Sequence, residues 1–436
     1  MGSRRQTLSH IIIAFLLVSG ISFFCLAIPA QDSQISHLLP DVLGWVSLFN
    51  GLIVIVGISL TADQATIIIL TAFLLRAALA IVNAYVVPLP YSQADAATFE
   101  AIGWMWSQDG LIASLDNFQS GSALYPWLIS VLYALTSRSS LMIQGFNVLF
   151  GSLIVWNVYL IAKLLWGMRV AVRAAWFTAL IPSLALYSAV TLREVAIVYP
   201  LTLAILYLAY WHRSKKTLHL VFSLISLGVS ISFHTGIIVA LVTLMFIFLL
   251  RLLFSVINQR NLFLYTGSLL LISSFVGMVI ISGWGLQKIG GSVENISLEK
   301  IAQAQQVRAR DRAAYLEDMP ISDSIDLVWQ TPWRVIYFLY TPFVWMIRTS
   351  ADLAAQLDVL LYIGLTISLY RSRRYIIADP AARAILLMLL ALIIIFALST
   401  SNYGTALRHR AKFAPIAMSL TAVAPWERRL RGVQRD

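Results

Sequence analysis

Near the C-terminal end of the chain, Arg408-His409-Arg410 stands between two apolar stretches, with Tyr403 just ahead of it. Guanidinium groups grip phosphate oxygens in pairs and stay charged at any working pH, so the chemistry this triplet offers is retention of an anion. Gly404, four residues before Arg408, gives the backbone the freedom for a tight turn between spans. The competing role for these arginines is to reach toward lipid headgroups.

Other candidates lie far away in sequence. Asp95-Ala-Ala-Thr-Phe-Glu100 opens a short helical stretch in which Phe99, Ile102 and Trp106 recur at helical spacing. Asp95 is then either a general base that takes a proton from an acceptor hydroxyl, with Glu100 as helper or substrate contact, or simply the cap of its helix. Arg193-Glu194 offers a phosphate ligand oriented by a carboxylate, or else an ordinary charge pair at a helix end. His234 follows Ile231-Ser232-Phe233 and is either a proton donor to a leaving phosphate or a structural helix terminus. Arg308, Arg310 and Arg312 suit a solvated helix that could also screen a pyrophosphate. Arg76 lies inside an apolar run, where a charge needs a polar interior, and a loop carboxylate is its expected partner.

The elements that must position these residues are membrane spans. The 436-residue chain is 59% hydrophobic, 12% charged and has mean hydropathy +0.82. Soluble domains carry about 25% charged residues. A polytopic, all-α membrane protein follows. The net charge of +11 is spread over short loops, the pattern that orients spans, so nucleic acid is not an expected partner. Cys25 is the only cysteine, which excludes an internal disulfide. No Walker loop, GxGxxG or metal-ligand spacing occurs, so no cofactor is expected and a divalent cation has no supporting motif.

A span needs about 20 apolar residues. Twelve stretches qualify: 11–29, 43–60, 65–88, 141–165, 171–190, 194–211, 217–234, 236–254, 261–282, 353–370, 382–400 and 411–426. Two shorter ones, 123–137 and 333–348, start near Pro126 and Pro332 and decide the topology. If both stay half-embedded on the outer face, every strongly basic short loop falls inside and both termini are cytoplasmic. One transmembrane domain then carries two large outer loops, 89–140 with its acidic residues and 283–352. Within the second, Ser297 to Leu316 reads as a surface helix that stops before Pro320. Asp95, Arg193, His234 and Arg408 all fall on the outer face.

The stretch from Leu124-Tyr125-Pro126-Trp127 through Trp166-Gly167, then Ile181-Pro182-Ser183 to Arg193-Glu194, resembles the GT-C glycosyltransferases of the protein O-mannosyltransferase and aminoarabinose transferase types. The resemblance covers about residues 90–215. It implies a GT-C-like helix bundle, Asp95 as the first-loop catalytic acid, and a polyprenyl-phosphate or polyprenyl-pyrophosphate sugar donor. The chain departs from the pattern in having three spans before the loop rather than one, and no Asp-Glu or Asp-X-Asp pair. Those leading spans, with Arg193-Glu194 and Phe233-His234, are also reminiscent of EpsG- and Wzy-type polysaccharide polymerases.

The expected activity is glycosyl transfer at the periplasmic face of a bacterial inner membrane, in cell-surface polysaccharide assembly. The partners are a lipid-linked sugar donor, a glycan acceptor, membrane lipid and other assembly proteins. Repeat-unit polymerisation is the alternative, and lipid-linked sugar flipping is a second. Against flipping, no internal repeat is visible and the charges gather at one face.

Overall fold

The computed structural model describes residues 38–258, 261–283, 313–317, 319 and 323–421. Among them are 17 α-helices, short 3-10 turns, no β-strand and one isolated bridge. The all-α expectation holds. In chain order the helices are α1 Leu39–Ser59, α2 Thr66–Tyr85, α3 Asp95–Ser107, α4 Gly110–Asp116, α5 Leu124–Leu135 and α6 Ser140–Trp166. Next come α7 Met168–Leu180, α8 Pro182–Ala189, α9 Glu194–Ser214, α10 Thr217–Phe233, α11 Ile238–Asn258 and α12 Leu262–Ile281. The series ends with α13 Ser324–Tyr340, α14 Ser350–Ala378, α15 Pro380–Leu398, α16 Tyr403–Ala411 and α17 Ala414–Leu420.

Eight described helices are long and apolar enough to cross a membrane, and the pair α7–α8, bent by 57°, makes a ninth if counted as one broken span. The bend falls where the span expected at 171–190 meets Pro182, which has no N–H to continue the helical ladder. The span expected at 217–234 is α10, whose 17 residues reach about 26 Å, short of a hydrocarbon core of about 30 Å. The stretch expected at 11–29 lies outside the described residues. At 411–421 the expected continuous span gives way to a break at Lys412-Phe413 followed by the seven-residue α17, with Pro415 in its first turn. Proline suits a helix start and cannot extend a preceding helix, so the break falls there.

Two compact units emerge, one from residues up to Tyr159 plus Ala175–Tyr199, the other from Leu160–Ala174 plus everything from Pro200 onward. In the first, α2 packs on α1 and α8, while α5 packs on α3 and α4. Close approach needs small residues: a Cβ on Gly103 of α3 would overlap Ile129 of α5, and one on Gly44 of α1 would overlap Leu141 of α6. Asn83 and Tyr85 at the end of α2 line the same cavity as Ser140 and Gln144 at the start of α6. These two helix ends therefore lie at one end of this unit, and the 12-residue α5 between them is about 18 Å long, short of a hydrocarbon core of about 30 Å.

In the second unit α11 packs on α12 and α15, and α13 packs on α14, α15 and α16. Arg213 of α9 bonds Asp379, which caps α15, and Arg251 of α11 donates to the Pro380 carbonyl at 3.1 Å. His234 lies instead against Phe396, 16 residues along α15 or about 24 Å away. Within this unit, then, the loops of the expected inner side meet at one end of α15 and the outer candidates at the other. The expected surface helix Ser297–Leu316 falls mostly outside the described residues. Its described end is extended instead: Ala314 bridges to Asn402, with Tyr315 N–H donating to Ser401 and Tyr403 N–H to Ala313.

Candidate active site

In the first unit, Asp95 occupies the first turn of α3, exposed, directly after Ala94, which adopts a positive φ of 52°. That positive-φ residue ends the loop abruptly and sets the helix start. Asp95 is thus one residue inside the helix rather than its cap. One turn on, Phe99 lies under the Arg193 guanidinium, 5.6 Å from ring centre to Cζ, and edge-on to Tyr125 at 5.8 Å. Arg193 and Glu194 are both buried. Glu194 takes the first position of α9, where a carboxylate is favoured by the helix dipole.

Asn147 of α6 holds this cluster together. Its Nδ2 lies within hydrogen-bond reach of the Tyr125 hydroxyl at 2.9 Å and of the carbonyls of Val190 and Leu192 at 2.7 and 2.9 Å. The segment carrying Arg193 is thereby tied to α5 and α6. Asn147 and Gln144 were missed in the sequence, although amides inside an apolar span should have marked a polar interior.

Glu100 faces away from Asp95. Five residues along a helix turn the side chain through about 140°, so the two carboxylates do not share a face. Arg138 grips Glu100 as a fork, Nε to Oε1 at 2.9 Å and Nη2 to Oε2 at 2.7 Å, and the Tyr133 hydroxyl donates to Oε1 at 3.1 Å. The bond to Glu100 raises the Arg138 pKa above its ordinary value. Glu100, Arg138 and Gln144 line an open cavity of about 770 Å3 between α1, α2, α3 and α6.

Arg76 pairs with no loop carboxylate. It is fully buried, and its Nη1 donates to the Ala72 and Ala179 carbonyls at 3.0 Å, with Nη2 at 3.5 Å from that of Thr178. Pro182 cannot donate to Thr178, so the guanidinium fills the gap at the end of α7.

The remaining candidates belong to the second unit. Arg408, His409 and Arg410 form the last turn of α16 instead of an open turn, a placement the helix dipole favours for cations. Gly404 is helical, just past Asn402, whose Oδ1 accepts from the N–H groups of Gly404 and Thr405. Arg410 is fully buried. Its Nη1 donates to the carbonyls of Leu339 and Thr341 at 2.8 and 2.7 Å, just before Pro342, and it lies 5.0 Å over the Tyr362 ring. The Tyr403 hydroxyl donates to Asp352 at 3.0 Å, and Asp352 in turn anchors the N terminus of α14. Arg308, Arg310 and Arg312 lie outside the described residues.

His234 is half-buried beyond α10, with Nδ1 accepting from the Gly236 N–H at 3.2 Å. Its ring meets Phe396 at 4.9 Å and His409 edge-on at 5.4 Å. Buried Lys412, which the sequence reading passed over, places Nζ 2.8 Å from His409 Nδ1. An ammonium has no lone pair, so it donates and His409 Nδ1 accepts. With both Nδ1 atoms accepting, each neutral imidazole carries its proton on Nε2.

The described residues contain no group of three His, Cys, Asp or Glu side chains suited to a metal. Residues 120–282 match the family model described as dolichyl-phosphate-mannose-protein mannosyltransferase. No curated protein matches the chain. Among solved structures, an archaeal oligosaccharyltransferase from Archaeoglobus fulgidus, in complex with an inhibitory peptide and a dolichol-phosphate, aligns with TM-score 0.51 at 13% identity, covering 84% of this chain and 51% of its own. The apo form of the A. fulgidus oligosaccharyltransferase aligns with TM-score 0.48 at 13% identity, covering 84% and 52%. The chain spans about half the length of the solved proteins it matches. Together with the span pattern and the matched segment, the first alignment gives this multi-pass membrane chain the GT-C type of glycosyltransferase fold.

Proposed function

We propose that the chain transfers a sugar from a polyprenyl-phosphate or polyprenyl-pyrophosphate carrier to a glycan hydroxyl, at the periplasmic face of a bacterial inner membrane, during cell-surface polysaccharide assembly. The observation that carries this reading is the family match over residues 120–282, a segment that includes Tyr125, Asn147 and Arg193, on which the Asp95 helix is seated.

Asp95 is the base. Its exposed carboxylate takes the proton of the acceptor hydroxyl, whose oxygen forms a bond to the anomeric carbon. The bond from that carbon to the phosphate oxygen breaks, and its electron pair leaves on the lipid phosphate. In the second unit, Arg408, half-exposed, and the Nε2–H groups of His234 and His409 are donors suited to holding a phosphate. Arg193 supports the Asp95 helix through Phe99. The sugar–phosphate bond is already activated, so no nucleotide is consumed.

The test is transfer by the purified chain in proteoliposomes, from a radiolabelled lipid-linked sugar to an acceptor glycan. The wild type forms labelled product and Asp95→Asn forms none while retaining its melting temperature. Undiminished transfer by Asp95→Asn would remove the base assignment, and absence of transfer with every lipid-linked donor would remove the reading.

A further inference from the structure

The cavity of the first unit is built for something other than a phosphate. Its charged lining residues are Asp41, Glu100 and Arg138, one cation against two carboxylates. Arg138 is engaged by Glu100, and Asp41 Oδ1 accepts from the Tyr85 hydroxyl at 2.8 Å. What remains toward the space is a mixture of hydroxyl, amide and small apolar side chains.

Two of these groups lack a partner. Gln144 is 4% exposed, its Oε1 has no hydrogen bond, and neither has the buried Ser92 Oγ. A buried carbonyl left unmatched is costly, so Gln144 calls for a donor. A phosphate monoester dianion offers only acceptors and would meet a net negative wall. An alcohol hydroxyl donates to Gln144 Oε1 and can accept from a second lining group. Ala97 and Ala101, exposed and one helical turn apart on α3, leave flat space beside them. A volume of about 770 Å3 is within the range of ligand pockets and has room for more than one sugar ring.

We propose that this cavity binds an uncharged, hydroxyl-rich ring, a neutral sugar of the acceptor glycan, with Gln144 Oε1 accepting from one of its hydroxyls. Only the word acceptor rests on the function proposed above. The binding itself does not.

Saturation-transfer NMR on the detergent-purified full chain tests this with lactose, maltose, cellobiose and N,N′-diacetylchitobiose as probes. At least one disaccharide should receive saturation, and an excess of inorganic phosphate should not displace it. Ala97→Trp, which fills the cavity from an exposed helix position, should abolish the signal. Gln144→Leu should weaken binding about tenfold, the effect of one lost hydrogen bond of about 1.4 kcal/mol. The proposal falls if no disaccharide binds, if Ala97→Trp binds unchanged, or if phosphate competes. Sugar binding without any transfer would instead sink the proposed function and leave the cavity assignment standing. Transfer with an acceptor KM unaltered in Ala97→Trp would do the reverse.

Discussion

Arg76 of α2 donates from Nη1 to the Ala179 carbonyl at 3.0 Å, across 103 positions of sequence, and places Nη2 3.5 Å from the Thr178 carbonyl that Pro182 leaves without a donor. Arg410 does the same in the second unit, where Pro342 follows α13 and the carbonyls of Leu339 and Thr341 accept. A helix end inside a membrane protein has no water to satisfy its carbonyls, and an arginine supplies several donors from one side chain.

Arg76→Met keeps the volume but leaves those carbonyls unmatched, and should cost about 3 kcal/mol, the value of two hydrogen bonds from a charged donor. Pro182→Ala restores an N–H to Thr178. The double variant Arg76→Met/Pro182→Ala should therefore lose less than the sum of the single changes. Melting temperatures in detergent across the four-member cycle give the coupling, and simple additivity would count against the clamp.

Asp95→Asn should lower transfer at least a hundredfold, within the usual range for loss of a general base. Its melting temperature should stay within the error of the wild type, because the residue is exposed. A parallel fall in stability and activity would make Asp95 a structural residue.

Glu100→Ala discriminates position from chemistry. It strips the acceptor from Arg138 and the Tyr133 hydroxyl and loosens α3 on α5. Arg138 is half in solvent, so the stability loss should be modest, on the order of 1 kcal/mol. Transfer should fall far less than with Asp95→Asn, and Glu100→Gln should recover most of it. Equal loss in Glu100→Gln and Asp95→Asn would give Glu100 a direct chemical role.

What the sequence made legible was what repeats or carries charge. Span parity put Asp95, Arg193, His234 and Arg408 on the outer face; within the units, the structure brings Arg193 to the Asp95 helix through Phe99 and His234 to His409. The stretch expected to stay half-embedded is α5, whose 12 residues reach only about 18 Å. Backbone acceptors were illegible. Arg76 seemed to need a carboxylate because carbonyls freed by a proline leave no side-chain signature, and Arg410 looked like its neighbour Arg408 for the same reason. Lys412 went unremarked, since only the fold brings its amine to His409 and His409 to His234.

That difference within one triplet gives the last prediction. Arg410 is buried and committed to carbonyls, whereas Arg408 is half-exposed on the same turn. Arg408→Ala should raise the donor KM about tenfold or more, as expected for removal of a charge-assisted contact worth about 1.5–3 kcal/mol, with little change in melting temperature. Arg410→Ala should instead lower the melting temperature by several degrees, because it leaves α13 uncapped and a cavity beneath Tyr362. Donor titrations and thermal melts on the two variants separate the roles. An Arg408→Ala protein with wild-type donor KM would remove this turn from the phosphate site, whatever Arg410→Ala does to the fold.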